Sequence, residues 1–380
     1  MIKRWLSSPG GSTNSMIKDT STLALNVISS VAFENTEVNE PTLGHQLSLR
    51  DALVTVMGTS ISPAIEGIML LFKLPILESL LPTSTKRLLL AMREFRQYMD
   101  ETVVKERSKV ASGQSKAATL ISTLIRANDE AKSGSGVSKS KLSDVEIRGN
   151  VFIFTVGGLE STSITLSYAL ALLAVYPEVQ DWVVEELDEV LKDEATDDPE
   201  YARVFPRLKR VMAVMYETLR LYSPSPPLPR LPFPAHPQRT IPQTSLESKK
   251  AHENIVLPAN TQIMLNSWAS HTSSANFPDP LTWNPKRWIQ SQSAGSSRVT
   301  LPEILSAEEL RHPTSGSGFF AWGTGPRICP GMKFSKVEFC SALSSVLEKV
   351  RVEVVCQDGE TVGVAGQKVP EKLELRVVER

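Results

Sequence analysis

The chain has 380 residues, with 41 Lys plus Arg against 42 Asp plus Glu, for a formal net charge of -1. That balance argues against a long, uniform phosphate-binding surface while leaving room for a local basic patch, and no nucleic acid is expected among its partners. Hydrophobic residues at 41% and charged residues at 22% describe a folded chain with enough length for a large core, in no need of disulfides or a metal staple.

The first segment, MIKRWLSSPGGSTNS, has no apolar signal core after its basic residues. Apolar helical runs then alternate with polar joints through SMIKDTSTLALNVISSVAF, SLRDALVTVMG and STKRLLLAMREFRQYMDETVVKERSKV, the last with the period of a packed helix that keeps one wet face. Between them, AIEGIMLLFKLPILESLL is the most membrane-like stretch. Glu66, Lys73, Pro75 and Glu78 interrupt it, short of the roughly 18 apolar residues a spanning helix needs. A buried helix followed by a loop is the expectation there, with contact at a bilayer surface as the alternative. DEAKSGSGVSKSK reads as a surface loop.

At SDVE, Ser143 and Glu146 have the spacing of a capping box, which predicts a helix start. A long, nearly all-apolar helix follows over 143–176, expected to cross the middle of the protein. Pro177 suits the first turn of the next helix, PEVQDWVVEELDEVLKD. The helix LKRVMAVMYETLRLYS stops against PSPPLPRLPFP, where proline density forces an extended path. Short strands are expected in TIPQ, NIVLPAN and TQIMLNSWA, then a helix in KFSKVEFCSALSSVLEKV and terminal strands in VRVEVVCQ and KLELRVV. The sum is a mainly α chain with a minor β region.

The cysteines are Cys329, Cys340 and Cys356, a sparse, odd set without a CxxC pair, which argues against a disulfide framework and a zinc site. Cys329 sits in FFAWGTGPRICPGMKF, where Gly323, Gly325 and Gly331 permit unusual backbone conformations or close approaches and Pro326 and Pro330 restrict the path. Such a loop can present a thiolate as a soft ligand for iron; the alternative is one more buried apolar cysteine. In the long helix, GGLESTS places Gly157 and Gly158 where glycine costs helix stability. Room for a flat cofactor would explain them, with Glu160 and Ser161 organising protons beside the gap. Otherwise the segment is core, Ser161 bonded back to the preceding turn and Glu160 paired elsewhere. His45, His236, His252, His271 and His312 are scattered, and no pair has metal-ligand spacing.

FAWGTGPRICPG resembles the haem-binding loop of cytochromes P450, matching through Trp322, Gly325, Arg327, Cys329 and Gly331, with Trp322 where phenylalanine is usual. The resemblance extends to ETLR, which supplies Glu217 and Arg220 of an ExxR motif, to Arg287 in NPKRW as its third member, and to Arg230. It implies the P450 fold, lacking its N-terminal part, over residues 1–380 as one partial domain that begins near the family's D helix. The anchor, hinge, first strands, B helix and C helix are expected to be missing. Cys329 becomes the proximal ligand of haem b (iron protoporphyrin IX) in a loop over 319–331, with Trp322 as a platform under the sulfur and Gly325 in the same cradle. Arg327 and Arg230 become propionate partners. Gly157 and Gly158 make room over the haem, and Glu160, Ser161 (where threonine is usual) and Thr162 deliver protons. His271 resembles the histidine before the family's aspartate-proline turn and is assigned to packing or hydrogen bonding near the cofactor.

The activity implied is insertion of one oxygen atom of O2 into an apolar small organic molecule, in the manner of a fungal microsomal enzyme of secondary metabolism. Electrons would come from NADPH through NADPH-cytochrome P450 reductase or a similar donor. A haem-thiolate isomerase or dehydratase and a non-catalytic haem-binding remnant are the alternatives. The family form is expected at the endoplasmic reticulum membrane, and this chain, read as lacking an anchor, in the cytoplasm.

Overall fold

The computed structural model describes residues 1–380 except 14, 34–39, 60–80, 114–118, 134–141, 193–199, 226, 231–238, 243–253, 258–260, 292–299, 315 and 356–374. The apolar stretch within 64–81, His236, His252, Cys356 and the tail of the SGSG loop therefore lie, wholly or nearly so, outside the described residues. The rest is mainly α with small antiparallel sheets, and it divides into two units: Lys18–Ser163, and Met1–Ile17 with Ile164–Arg380.

The first unit is helical. α1 (Met16–Phe33), α2 (Leu49–Thr59), α3 (Thr83–Ala111) and α4 (Leu120–Ser133) lead into α5 (Asp144–Val175). The predicted capping box starts α5: the Ser143 amide donates to Glu146 Oε2 at 2.8 Å and the Glu146 amide donates to Ser143 Oγ at 3.3 Å. The loop expected from Asp129 begins later, because α4 runs on to Ser133. α5 is long and apolar enough to cross a membrane, but 67% of its most apolar window is buried, as for a core helix.

In the second unit, α6 (Pro177–Leu191) begins with the expected proline, and α7 (Lys209–Leu221) is buried along nearly its whole length. Glu186 explains how α7 starts without a cap of its own: its carboxylate accepts from the amides of Arg210 and Val211, at 2.8 and 3.2 Å. α8 (Met332–Leu347) packs against α7 behind the cysteine loop.

The strands are short. β1 (Ser12–Thr13) pairs with β9 (Leu375–Glu379), which pairs with β8 (Val350–Val354). β2 (Leu228–Arg230) pairs with β5 (Ile263–Leu265), β3 (Arg239–Pro242) with β4 (Asn254–Leu257), and β6 (Ile289–Ser291) with β7 (Glu308–Leu310), all antiparallel. The β1 register depends on Gly11, whose φ is +68° and where a Cβ would stand 2.5 Å from the Val377 carbonyl oxygen. One expected strand is partly a helix. In TQIMLNSWA, only Ile263–Leu265 is extended, and the Asn266 side chain accepts from the Ala269 amide at 3.0 Å, capping a short helix over Ser267–His271.

Candidate functional site

Glu217 anchors the scaffold of the second unit. Glu217 and Arg220 are both 0% exposed on α7, and the guanidinium meets the carboxylate in a two-pronged contact, Nε to Oε2 at 3.0 Å and Nη2 to Oε1 at 2.8 Å. Arg287 Nε donates to Oε1 at 3.0 Å, the Asn284 amide at 2.9 Å, and the Trp288 indole to Oε2 at 2.9 Å. The arginines' remaining N–H groups reach carbonyls: Arg220 those of His271, Pro280 and Thr282, Arg287 those of Pro278, Asp279 and Thr282. A charge that would be costly if buried alone thus ties α7 to residues 271–288.

On this base stands a cluster of aromatic rings. Tyr216, Trp288, Phe319 and Trp322 meet edge-on or tilted, with centroids 5.1–6.0 Å apart. The departure at Trp322 is accommodated chemically: its indole N–H, which phenylalanine lacks, donates to Ser335 Oγ at 3.1 Å, and the Lys336 ammonium lies 5.0 Å from its ring centre. Burial holds the Lys336 amine below its ordinary value. Neither Ser335 nor Lys336 stands out in the sequence, where both look like ordinary helix residues.

The loop itself projects from that base. Gly323 (φ +76°) and Gly325 (φ +69°) occupy the left-handed region, and the Cys329 amide donates back to the Trp322 carbonyl at 2.8 Å, closing the turn. Residues 324–330 are exposed, Cys329 among them, with Ile328 46% exposed. Among the described residues Arg327 makes no ion pair. Arg230, on β2, is half-buried, and among the described residues its Nη1 donates to the neighbouring Pro229 carbonyl, at 3.0 Å. The other described cysteine behaves in the opposite way: Cys340 is 0% exposed, and burial pushes its thiol well above the ordinary range. The buried-apolar description belongs to Cys340 rather than to Cys329. An accessible thiol, an exposed aliphatic side chain and an arginine without a described counter-ion fit a flat apolar ligand with acids on its edge, so the residues suit haem.

In the first unit, α5 presents a face that carries Phe152 (36% exposed), Ile153 (57%), Gly157 and Glu160. Among the described residues, a Cβ at Gly157 would meet nothing within 4 Å, whereas one at Gly158 would lie 3.1 Å from Ile28 Cδ1, so Gly158 is small for packing and Gly157 faces open space among them. Ser161 Oγ donates to the Gly157 carbonyl at 2.6 Å, the back-bonded arrangement of a helix hydroxyl. Glu160 makes no ion pair among the described residues. Thr162 is on the buried side, 4% exposed, and its Oγ1 has no described partner. Gly157, Glu160 and Ser161 thus fall together, apart from Gly158 and Thr162.

Gly157→Ala is expected to raise the unfolding free energy by about 0.5–1 kcal/mol in urea titrations, because a methyl group there relieves the helix cost of glycine at no steric expense. The same variant should bind haem more weakly if this face receives it. A destabilised Gly157→Ala chain would show the face to be filled.

His271 is 0% exposed, and burial holds it down at about 4 from an ordinary 6.5, partly offset by its bond to the Arg220 carbonyl. Between those values the unfolded chain carries a proton that the folded chain refuses. Stability is therefore full above about pH 6.5 and falls as pH drops toward 4, by about 3 kcal/mol in all. Chemical denaturation at stepped pH should show wild type losing that much relative to His271→Gln, and two parallel curves would refute it.

The family model described as "Cytochrome P450" matches residues 1–363. Among curated proteins, a phomenoic acid biosynthesis cluster cytochrome P450 monooxygenase of Leptosphaeria maculans is 29% identical over 362 residues, 89% of this chain and 57% of the relative. A cytochrome P450 monooxygenase of Arthrobotrys oligospora is 28% identical over 285 residues, 71% of this chain and 47% of the relative. The chain thus spans about half the length of these relatives. The solved haem domain of cytochrome P450DA superposes with a TM-score of 0.64 at 21% identity, over 100% of this chain and 70% of that one, which shows the fold. With a family match over almost its entire length and that fold behind it, the chain belongs to the cytochrome P450 family.

Proposed function

We propose that this chain carries the haem-thiolate part of a monooxygenase that inserts one oxygen atom of O2 into an apolar small organic molecule of fungal secondary metabolism. The observation that carries the reading is the accessible thiol of Cys329 on a loop held by left-handed glycines and its own backbone bond. Bound there, haem would supply the redox chemistry of oxygen insertion. Cys329 offers the sulfur ligand, Trp322 and Gly325 shape the loop beneath it, and Arg327 and Arg230 neutralise acids at the ring edge. Gly157 leaves the distal helix open, and Gly158 lets that helix pack closely behind it. Phe152 and Ile153 give the open side an apolar surface that favours an apolar substrate. Glu160 offers a carboxyl group and Ser161 a hydroxyl that can accept a hydrogen bond at Oγ while its own hydrogen points to the Gly157 carbonyl, the pair through which protons would be delivered. Thr162 is the buried hydroxyl of the set. Electrons would arrive from NADPH through a reductase, and the working location would be the endoplasmic reticulum membrane of the family form.

The test is spectroscopic and then chemical. Reduced protein loaded with haem and treated with carbon monoxide should give the red-shifted band of a thiolate ligand. With a reductase and substrate, it should consume NADPH and O2 and release a hydroxylated or epoxidised product. A thiolate band without reductant consumption would favour an isomerase or dehydratase, and absence of the band would end the proposal.

A further inference from the structure

His271 lies between the Glu217 cluster and the cysteine loop, and the chemistry of its two neighbours fixes its state. Its Nδ1 is 3.1 Å from the carbonyl oxygen of Arg220, which can only accept, so Nδ1 carries a hydrogen. Its Nε2 is 3.0 Å from the backbone amide of Phe320, which can only donate, so Nε2 carries none. The ring is fully buried and stacks on Phe319, centroids 5.0 Å apart and planes 16° from parallel. Its own carbonyl receives Arg220 Nη1 at 2.7 Å. The Phe320 peptide then passes the constraint on: its carbonyl accepts from the Gly323 amide at 2.8 Å, and Trp322, inside that turn, accepts from the Cys329 amide at 2.8 Å. Next to His271, Ser270 Oγ donates to the Gly318 carbonyl at 2.8 Å, which holds the strand of chain entering the loop.

We propose that His271, neutral and with its hydrogen on Nδ1, is the positioning residue that ties the Cys329 loop to the Glu217–Arg220–Arg287 cluster. The other tautomer would set an N–H against the Phe320 N–H and two acceptors against each other at Arg220, and the imidazolium would face the Phe320 amide donor to donor. The sulfur's position is thereby set by a neutral imidazole that never touches it. The consequence for an iron ligand rests on the reading of Cys329 above; the tether itself does not.

The experiment uses the full chain in two stages. Without haem, nitrogen NMR of the imidazole in the wild-type protein should report a protonated Nδ1 and a bare Nε2; the reverse tautomer or an imidazolium at neutral pH would overturn the proposal with no variant needed. Amide exchange should then accelerate about tenfold or more at Phe320 and Cys329 in His271→Phe, which keeps the stacked ring, and in His271→Asn, which reaches only the Nδ1 position. His271→Gln, whose carbonyl can accept at the Nε2 position, should restore near wild-type exchange. Unchanged exchange in His271→Phe, or no difference between Gln and Asn, would refute the tether. With haem, the share of thiolate-type carbon monoxide band should follow the same order. A wild-type chain with no thiolate band would defeat the ligand assignment while leaving the first-stage results to judge His271.

Discussion

Cys329→Ser is expected to abolish the thiolate-type band completely in the reduced, carbon-monoxide-treated protein, while Cys340→Ser leaves it in place. The physical basis is charge and softness: an alkoxide is not formed at neutral pH, whereas an accessible thiol can release its proton to solvent as a metal binds and ligate it as a soft anion. The fold should tolerate the change, since Cys329 is exposed and its structural role is a backbone bond that serine retains. Circular dichroism and the urea midpoint of Cys329→Ser are thus expected to match wild type. Cys340→Ser should show the converse pattern, an intact band and a lower midpoint, because it places a more strongly hydrated hydroxyl in a fully buried position. Retention of the band in Cys329→Ser would remove the ligand assignment and, with it, the proposed oxidation chemistry.

Glu217→Ala should cost about 3–5 kcal/mol of unfolding free energy, the range for removing one partner from a buried, hydrogen-bonded charge cluster. The loss is large because it leaves the fully buried Arg220 and the partly buried Arg287 without their shared carboxylate, and the Asn284 amide and Trp288 indole without an acceptor. Glu217→Gln keeps acceptor capacity at one oxygen but not the charge, so it should fall between. The internal comparison is the surface pair of Arg351 and Asp181, whose carboxylate is 57% exposed; Asp181→Ala should cost less than about 1 kcal/mol. If urea titration gave the two alanine variants equal losses, the cluster would be no more than a surface ion pair in energetic terms. Loss of Glu217 should also loosen the cysteine loop through His271, visible as faster amide exchange at Phe320.

Much of this architecture can be read along the chain because the signals are local. The capping box at Ser143 and Glu146, Pro177 opening α6 and the buried face of α7 all follow from hydrogen bonds and side-chain periodicity within a few residues. The cysteine loop was legible for a similar reason, since the spacing of Gly325, Arg327, Cys329 and Gly331 is a short pattern. The errors were local competitions too close to decide: α4 carries on to Ser133 through residues that suit helix or loop, and Asn266 turns an apolar strand-like run into a helix start.

The sequence by itself therefore determined the family, the main helices and the accessible cysteine's neighbourhood, because each rests on residues close enough to interact without closing a long loop. Only the tertiary structure decided which distant groups meet: Glu217 with Arg287 and Trp288, His271 with Phe320, Trp322 with Ser335, and β1 with β9. It also decided that Gly157 faces open space while Gly158 packs on Ile28, and that Thr162 is buried beside an exposed Glu160. A donor carries no mark of its acceptor in one dimension. The choice is made when burial makes every unpaired polar group costly and the whole chain has to satisfy them at once.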